Sequence, residues 1–141
     1  MSEKSQPQVN WQPISALALI GSVIDGMFDD LEKQAATLEA CRSKPHVLDD
    51  YTVNRVIKVH SDLGEDVWFY EEQLSRWKNL NFTPSQRQEV NRLSEGIPAI
   101  KERITDILTL AKELKTGTID TILAKSDFEI GLEWLLGKRK P

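Results

Sequence analysis

The sequence predicts an all-α fold: an up-down-up bundle of three long antiparallel helices with heptad-like seams, plus a short C-terminal helical segment packed across it. Three observations predict it. Apolar residues recur at alternating three- and four-residue steps in three long segments. Helix start and stop signals fall between those segments. No stretch alternates with the period of two that a half-buried strand requires.

The first helix carries Leu17, Gly21, Ile24, Phe28, Leu31, Ala35 and Leu38 on one stripe. It opens near Pro13 and stops before Lys44–Pro45, because the residue preceding a proline avoids the α region. The second carries Val53, Val56, His60, Leu63, Val67, Tyr70, Leu74 and Trp77. Asp49 or Asp50 is its expected N-cap, since a carboxylate there accepts from an unpaired amide of the first turn.

The third helix has the clearest start in the chain. In Thr83-Pro84-Ser85-Gln86, Thr83 caps, Pro84 suits the first helical position, and Gln86 completes a capping box. Its stripe runs Val90, Leu93, Ile97, Ile100, Ile104, Ile107, Ala111 and Leu114. Pro98 lies inside it, where a proline ordinarily kinks or breaks a helix. The apolar phase nevertheless runs through from Leu93 to Ile100, which a loop would have no reason to preserve. A continuous helix is therefore expected.

Gly117 is expected to close this helix in the left-handed conformation. Thr118 then opens a short turn, and Ser126 with Glu129 reads as a second capping box before a last helix over Phe128–Leu136, ended by Gly137. The connections near 42–49 and 79–83 are short, so consecutive helices should be antiparallel neighbours. The domain layout follows: a polar tail over 1–10, one bundle over 11–137, and a basic end over 138–141.

Bulk properties bound the function. The 141 residues suit one domain. Apolar residues make up 40% and charged residues 28%, a balance that fits a folded, non-membrane chain. No apolar run approaches the roughly 18 residues of a membrane span, and the opening MSEKSQPQVN lacks the apolar centre of a secretory signal. The net charge is −4, and residues 82–117 carry six basic and five acidic groups, so no basic stripe for nucleic acid emerges. The terminal Lys138, Arg139 and Lys140 read as a solvated end. Cys41 is the single cysteine, which leaves no partner for an intrachain disulfide and makes the cytoplasm the expected compartment. It stands near a helix C-terminus, where the dipole does not favour a thiolate. Trp11 and Trp134 read as anchors at the ends of the bundle.

The candidate sites are few. Trp68 and Phe69 fall at the outermost positions of the second helix, where three helices alone would leave them exposed. Either the C-terminal helix covers them with Phe128, Leu132 and Leu135, or they form a partner surface, most simply with a second copy. Gly64, one turn earlier, offers a place for another helix to approach closely. His60 sits in the seam as a buried histidine satisfied by hydrogen bonds, with a pH-sensitive role as the sharper reading. Among the acidic residues of the first two helices, only Asp25, Glu32 and Asp66 flank the seams, whereas Asp29, Asp62 and Glu65 face solvent. Those three are the metal candidates, for Mg²⁺ or Mn²⁺.

No catalytic motif stands out, and no cofactor is expected. The function expected is a non-catalytic protein–protein interaction module, self-associating as a homodimer through the outer aromatic face. The alternative is a metal-dependent hydrolase or small-ligand-binding bundle that uses the carboxylates between the first two helices.

Overall fold

The computed structural model describes residues 9–80 and 82–135, without the side chains at 126, 130, 133 and 134. The expected Gly137 stop, the 138–141 end, most of the 1–10 tail and the Trp134 anchor lie outside that description. A 3₁₀ turn over Ile14–Ala16 leads into α1, Leu17–Ala40, and a second over Pro45–Val47 precedes α2, Asp50–Lys78. α3 spans Pro84–Lys115 and α4 spans Ile119–Leu135. No strand occurs among the described residues.

The start signals act as written. Asp49 accepts from the Thr52 amide at 2.8 Å. Thr83 accepts from the Gln86 amide at 3.1 Å while the Gln86 side chain accepts from the Thr83 amide at 3.0 Å, closing the capping box. α3 continues through Pro98.

Ion pairs fix the sense of each helix. Asp25 pairs with Arg92 at 2.9 Å, Glu32 with Arg103 at 2.9 Å, and Arg42 with Glu113 at 3.1 Å, so numbers rise together along α1 and α3. Between α2 and α3 they run oppositely: Glu71 meets Lys101, Gly64 lies opposite Ile104, and Asp50 meets Thr118. α2 is the down-running member of an up-down-up bundle.

α3 is the central element. It packs along both α1 and α2, while α1 and α2 scarcely approach each other. All eight of its stripe residues, Val90 to Leu114, are buried. The α2 stripe divides: Val53, His60, Val67, Leu74 and Trp77 are buried, whereas Val56, Leu63 and Tyr70 are only half-buried. In α1 the buried residues are Leu17, Ile20, Gly21, Ile24, Leu31 and Leu38, with Met27 packed beside them. Phe28, expected in that stripe, is 39% exposed because the stripe follows Met27 instead.

The end of α3 departs from expectation. Gly117 does not adopt a left-handed φ, and the helix closes at Thr116 with ordinary right-handed geometry. Space demands the glycine instead: a Cβ there would sit 2.7 Å from Pro45 Cγ. α4 is a single helix from Ile119, and no break precedes Phe128. Thr118 starts it, its hydroxyl accepting from the Thr121 amide at 3.3 Å. The same side chain is fully buried and donates to Asp50 Oδ1 at 2.6 Å. Asp120 accepts from the Asp50 amide at 2.7 Å, and the Ile119 amide donates to the Leu48 carbonyl at 2.9 Å. The first turn of α4 is thereby tied to the first turn of α2.

Candidate interaction surface

The aromatic face of α2 is organised by residues that precede the bundle. Trp11 stacks on Phe69 with ring centroids 5.4 Å apart and planes 4° apart. It also stands 6.0 Å from Trp68 at a tilt of 60°. The Arg76 guanidinium, about two turns beyond Phe69 on α2, lies 4.2 Å from the centre of the Trp11 ring. A strap of hydrogen bonds holds Trp11 there. Buried Gln73 accepts from the Gln12 amide at 2.7 Å and donates to the Gln12 carbonyl at 3.3 Å. The Trp77 indole donates to that carbonyl at 3.0 Å. Buried polar side chains are stable only when satisfied in this way, so Gln73 and Trp77 fix the strap in place.

Trp11 thus half-covers Phe69 and leaves Trp68 50% exposed. The expectation that α4 covers this face is not met. Phe128, Leu132 and Leu135 are 70%, 43% and 85% exposed, and α4 meets the bundle at Pro45–Val47 and at α2. Its anchor at Asp50 lies about 27 Å from Trp68 along α2, at 1.5 Å per residue. Within the chain, no described helix approaches Gly64 closely. A Cβ there would meet only Ile104 Cγ2, at an ordinary 3.8 Å.

Beside Trp68, between α2 and α3, runs a shallow groove of about 390 Å³ bordered by Glu71, Leu74, Ser94 and Ile97. The Ser94 hydroxyl oxygen is buried and has no hydrogen-bond partner among the described residues. Ser94 is also the residue four before Pro98, so no amide at 98 returns to its carbonyl. The wall next to the exposed indole therefore has unused hydrogen-bonding capacity.

The metal candidates do not converge. Asp25 is engaged by Arg92, and Glu32 by Arg103, both on α3 rather than α2. Asp66 stands apart on the α2 wall of the groove toward α1. Asp25 and Glu32 lie on the flank of α1 that meets the α3 arginines, whereas Asp66 borders the groove that α2 shares with α1. Among the described residues no three His, Cys, Asp or Glu side chains are grouped to hold a metal ion. Hydrogen bonds to Glu89 and Asp25 raise the Arg92 pKa, and the Arg92 bond holds Glu89 below the usual carboxylate range. Asp29, Asp62 and Glu65 are exposed, as expected. Cys41 is free and half-buried.

His60 is 7% exposed. Its Nδ1 lies 2.8 Å from the Val56 carbonyl oxygen one turn earlier. The ring lines a second groove, of about 540 Å³, that opens where α1 and α2 fail to meet. Val23 and Met27 of α1 face Leu63 and Tyr70 of α2 across it.

Comparison with protein-family models, with curated proteins and with solved structures found no match. No helix among the described residues is long and apolar enough to cross a membrane.

Proposed function

We propose that this chain is a non-catalytic helical interaction module that self-associates through the aromatic face of α2. The observation that carries the reading is the half-exposed Trp68 beside the Trp11–Phe69 stack. Tryptophan is among the side chains that dominate binding energy at interfaces, chiefly when it can be fully desolvated by the partner. Trp11 and Phe69 are already held by stacking, by Arg76 and by the Gln12–Gln73 strap, so little conformational entropy remains to be lost on docking. A second copy is the simplest partner, because a two-fold axis near Trp68 sets like aromatic surfaces against one another. The single cysteine suits a reducing compartment, and the reading includes a cytoplasmic location.

Light scattering over a concentration series tests this. The wild type should form a dimer, and Trp68→Ala should weaken association by at least tenfold, about 1.4 kcal/mol. Helical content by circular dichroism should be unchanged, since Trp68 contributes little to the core. Equal masses for the two chains at every concentration would assign the aromatic face to ordinary packing.

A further inference from the structure

We infer that α4 of a second copy lies in the groove between α1 and α2, so that each chain of the dimer supplies the fourth helix of the other's bundle. The inference rests on the self-association proposed for the aromatic face and names the segment that the partner contributes. A deficit exists on each side. α1 and α2 both pack on α3 and scarcely approach each other, which leaves a groove of about 540 Å³ where a four-helix bundle has its fourth member. Val23, Met27, Leu63 and Tyr70 line it, and Gly26 on the α1 wall has open space where a Cβ would stand. On α4, Phe128, Leu132 and Leu135 follow one another at steps of four and three, and all three are exposed. A stripe at that spacing is how an amphipathic helix seats itself in an apolar groove.

α4 does not fill the groove of its own chain while its first turn stays where it is. The Thr118 hydroxyl is bonded to Asp50, the Ile119 amide to the Leu48 carbonyl, and Asp120 to the Asp50 amide. α4 then runs unbroken to Leu135, so these bonds set the direction of the whole helix. In that direction the described residues leave its stripe uncovered. A second copy is the occupant that fits. The groove runs from Val59 to Tyr70 on α2, about 17 Å, and the stripe from Phe128 to Leu135 spans about 11 Å, so it fits within that length. The charges are complementary as well: Asp30 and Asp66 stand on the two walls, and the sequence after α4 carries Lys138, Arg139 and Lys140. The groove is also continuous with the aromatic face. Tyr70, at its end, meets Phe69 edge-on with ring centroids 5.2 Å apart. One interface therefore takes in both the partner's α4 and the surface around Trp68.

Cross-linking of full-length chains tests this. In a Cys41→Ser background, Val59→Cys places a thiol on the groove wall and Leu132→Cys places one on the α4 stripe. Both positions are exposed, so neither substitution opens the core. The two variants, distinguished by mass, are mixed and treated with a short bismaleimide. The expected product is their covalent hybrid. Glu102→Cys, exposed on α3 and outside the groove, should give none with Leu132→Cys. Phe128→Glu in the Leu132→Cys chain should cut the hybrid yield about tenfold. Four results overturn the inference. A dimer by light scattering without the 59–132 hybrid would leave the aromatic face as the interface and α4 outside it. Equal hybrids at 59 and 102 would mean random collision. An internal link in a chain carrying both thiols, with no hybrid between chains, would make α4 a lid on its own bundle. A monomer at every concentration would remove this inference together with the self-association reading. Pelleting of that monomer with phosphatidylglycerol vesicles would then make a lipid surface the occupant of the α4 stripe.

Discussion

The Thr118 hydroxyl donates to Asp50 Oδ1 at 2.6 Å, joining the start of α4 to the start of α2 across 68 residues of chain. Thr118 is fully buried, and Asp120 completes the junction by accepting from the Asp50 amide at 2.7 Å. A helix N-terminus is stabilised by acceptors on its free amides. α2 therefore has two caps, Asp49 from its own strand of chain and Asp120 from α4.

Replacing Thr118 by Val keeps the shape and removes the hydroxyl. The variant should lose about 1–2 kcal/mol, the cost of leaving a partly buried acceptor without its donor. Urea denaturation would measure it, and hydrogen exchange at the amides of 119–122 should quicken. An unchanged midpoint would mean that water replaces the hydroxyl at Asp50 without loss.

Two glycines should respond oppositely to alanine. At Gly117 the added methyl would meet the Pro45 ring at 2.7 Å, and a ring cannot swing aside as a flexible chain end does. Gly117→Ala should destabilise by about 1–3 kcal/mol through overpacking. At Gly64 the methyl has an ordinary contact at 3.8 Å inside a long helix. Gly64→Ala should stabilise by about 0.5–1 kcal/mol, the usual difference in helix propensity. Thermal or urea melts of both variants would test the contrast.

Stability should fall on acidification. The hydrogen bond from Arg92, 2.7 Å from Nη2 to Oε2, holds Glu89 below its ordinary 4.5. The Thr52 bond likewise holds Asp49 below its ordinary 3.8. A carboxyl depressed in the folded state stabilises the fold above its unfolded pKa, and that contribution is lost as pH falls through the folded value. The curve should thus be level near neutrality and decline below about pH 4.5. Glu89→Gln should shallow that decline. Its neutral-pH cost should stay under about 1 kcal/mol, because the pair is solvent-screened. Urea midpoints at several pH values would decide.

Much of the architecture was legible in the residues themselves. The eight-member stripe of α3, the Asp49 cap, the Thr83–Gln86 box and the passage through Pro98 all rest on local chemistry within one or two turns. The sites were less legible. Gln73 is buried and bonded to Gln12, yet it stands one position off the α2 stripe, and nothing near it in sequence points to a partner 61 residues away. Trp11 reads as an end anchor, but that it would stack on Phe69 depends on how the strap returns along α2. Proximity to Pro13, which fixes the direction of the chain entering the bundle, is the one local hint.

What the sequence determined by itself is the set of three long helices: where they start and, apart from Phe28 in α1, which stripe of each is apolar. Those features depend on backbone propensity, capping and spacing, all of which act over a few residues. What only the tertiary structure decided is how many neighbours each stripe has. α3 is flanked by two helices, so all of its stripe is buried, while α2 buries Val53, His60, Val67 and Leu74 and leaves Leu63 and Tyr70 to an open groove. The same geometry turned Asp25 and Glu32 toward arginines of α3 and left Asp66 facing a cavity. A heptad pattern specifies a face to be covered. What covers it is settled by long-range packing among the helices, which no single stripe encodes.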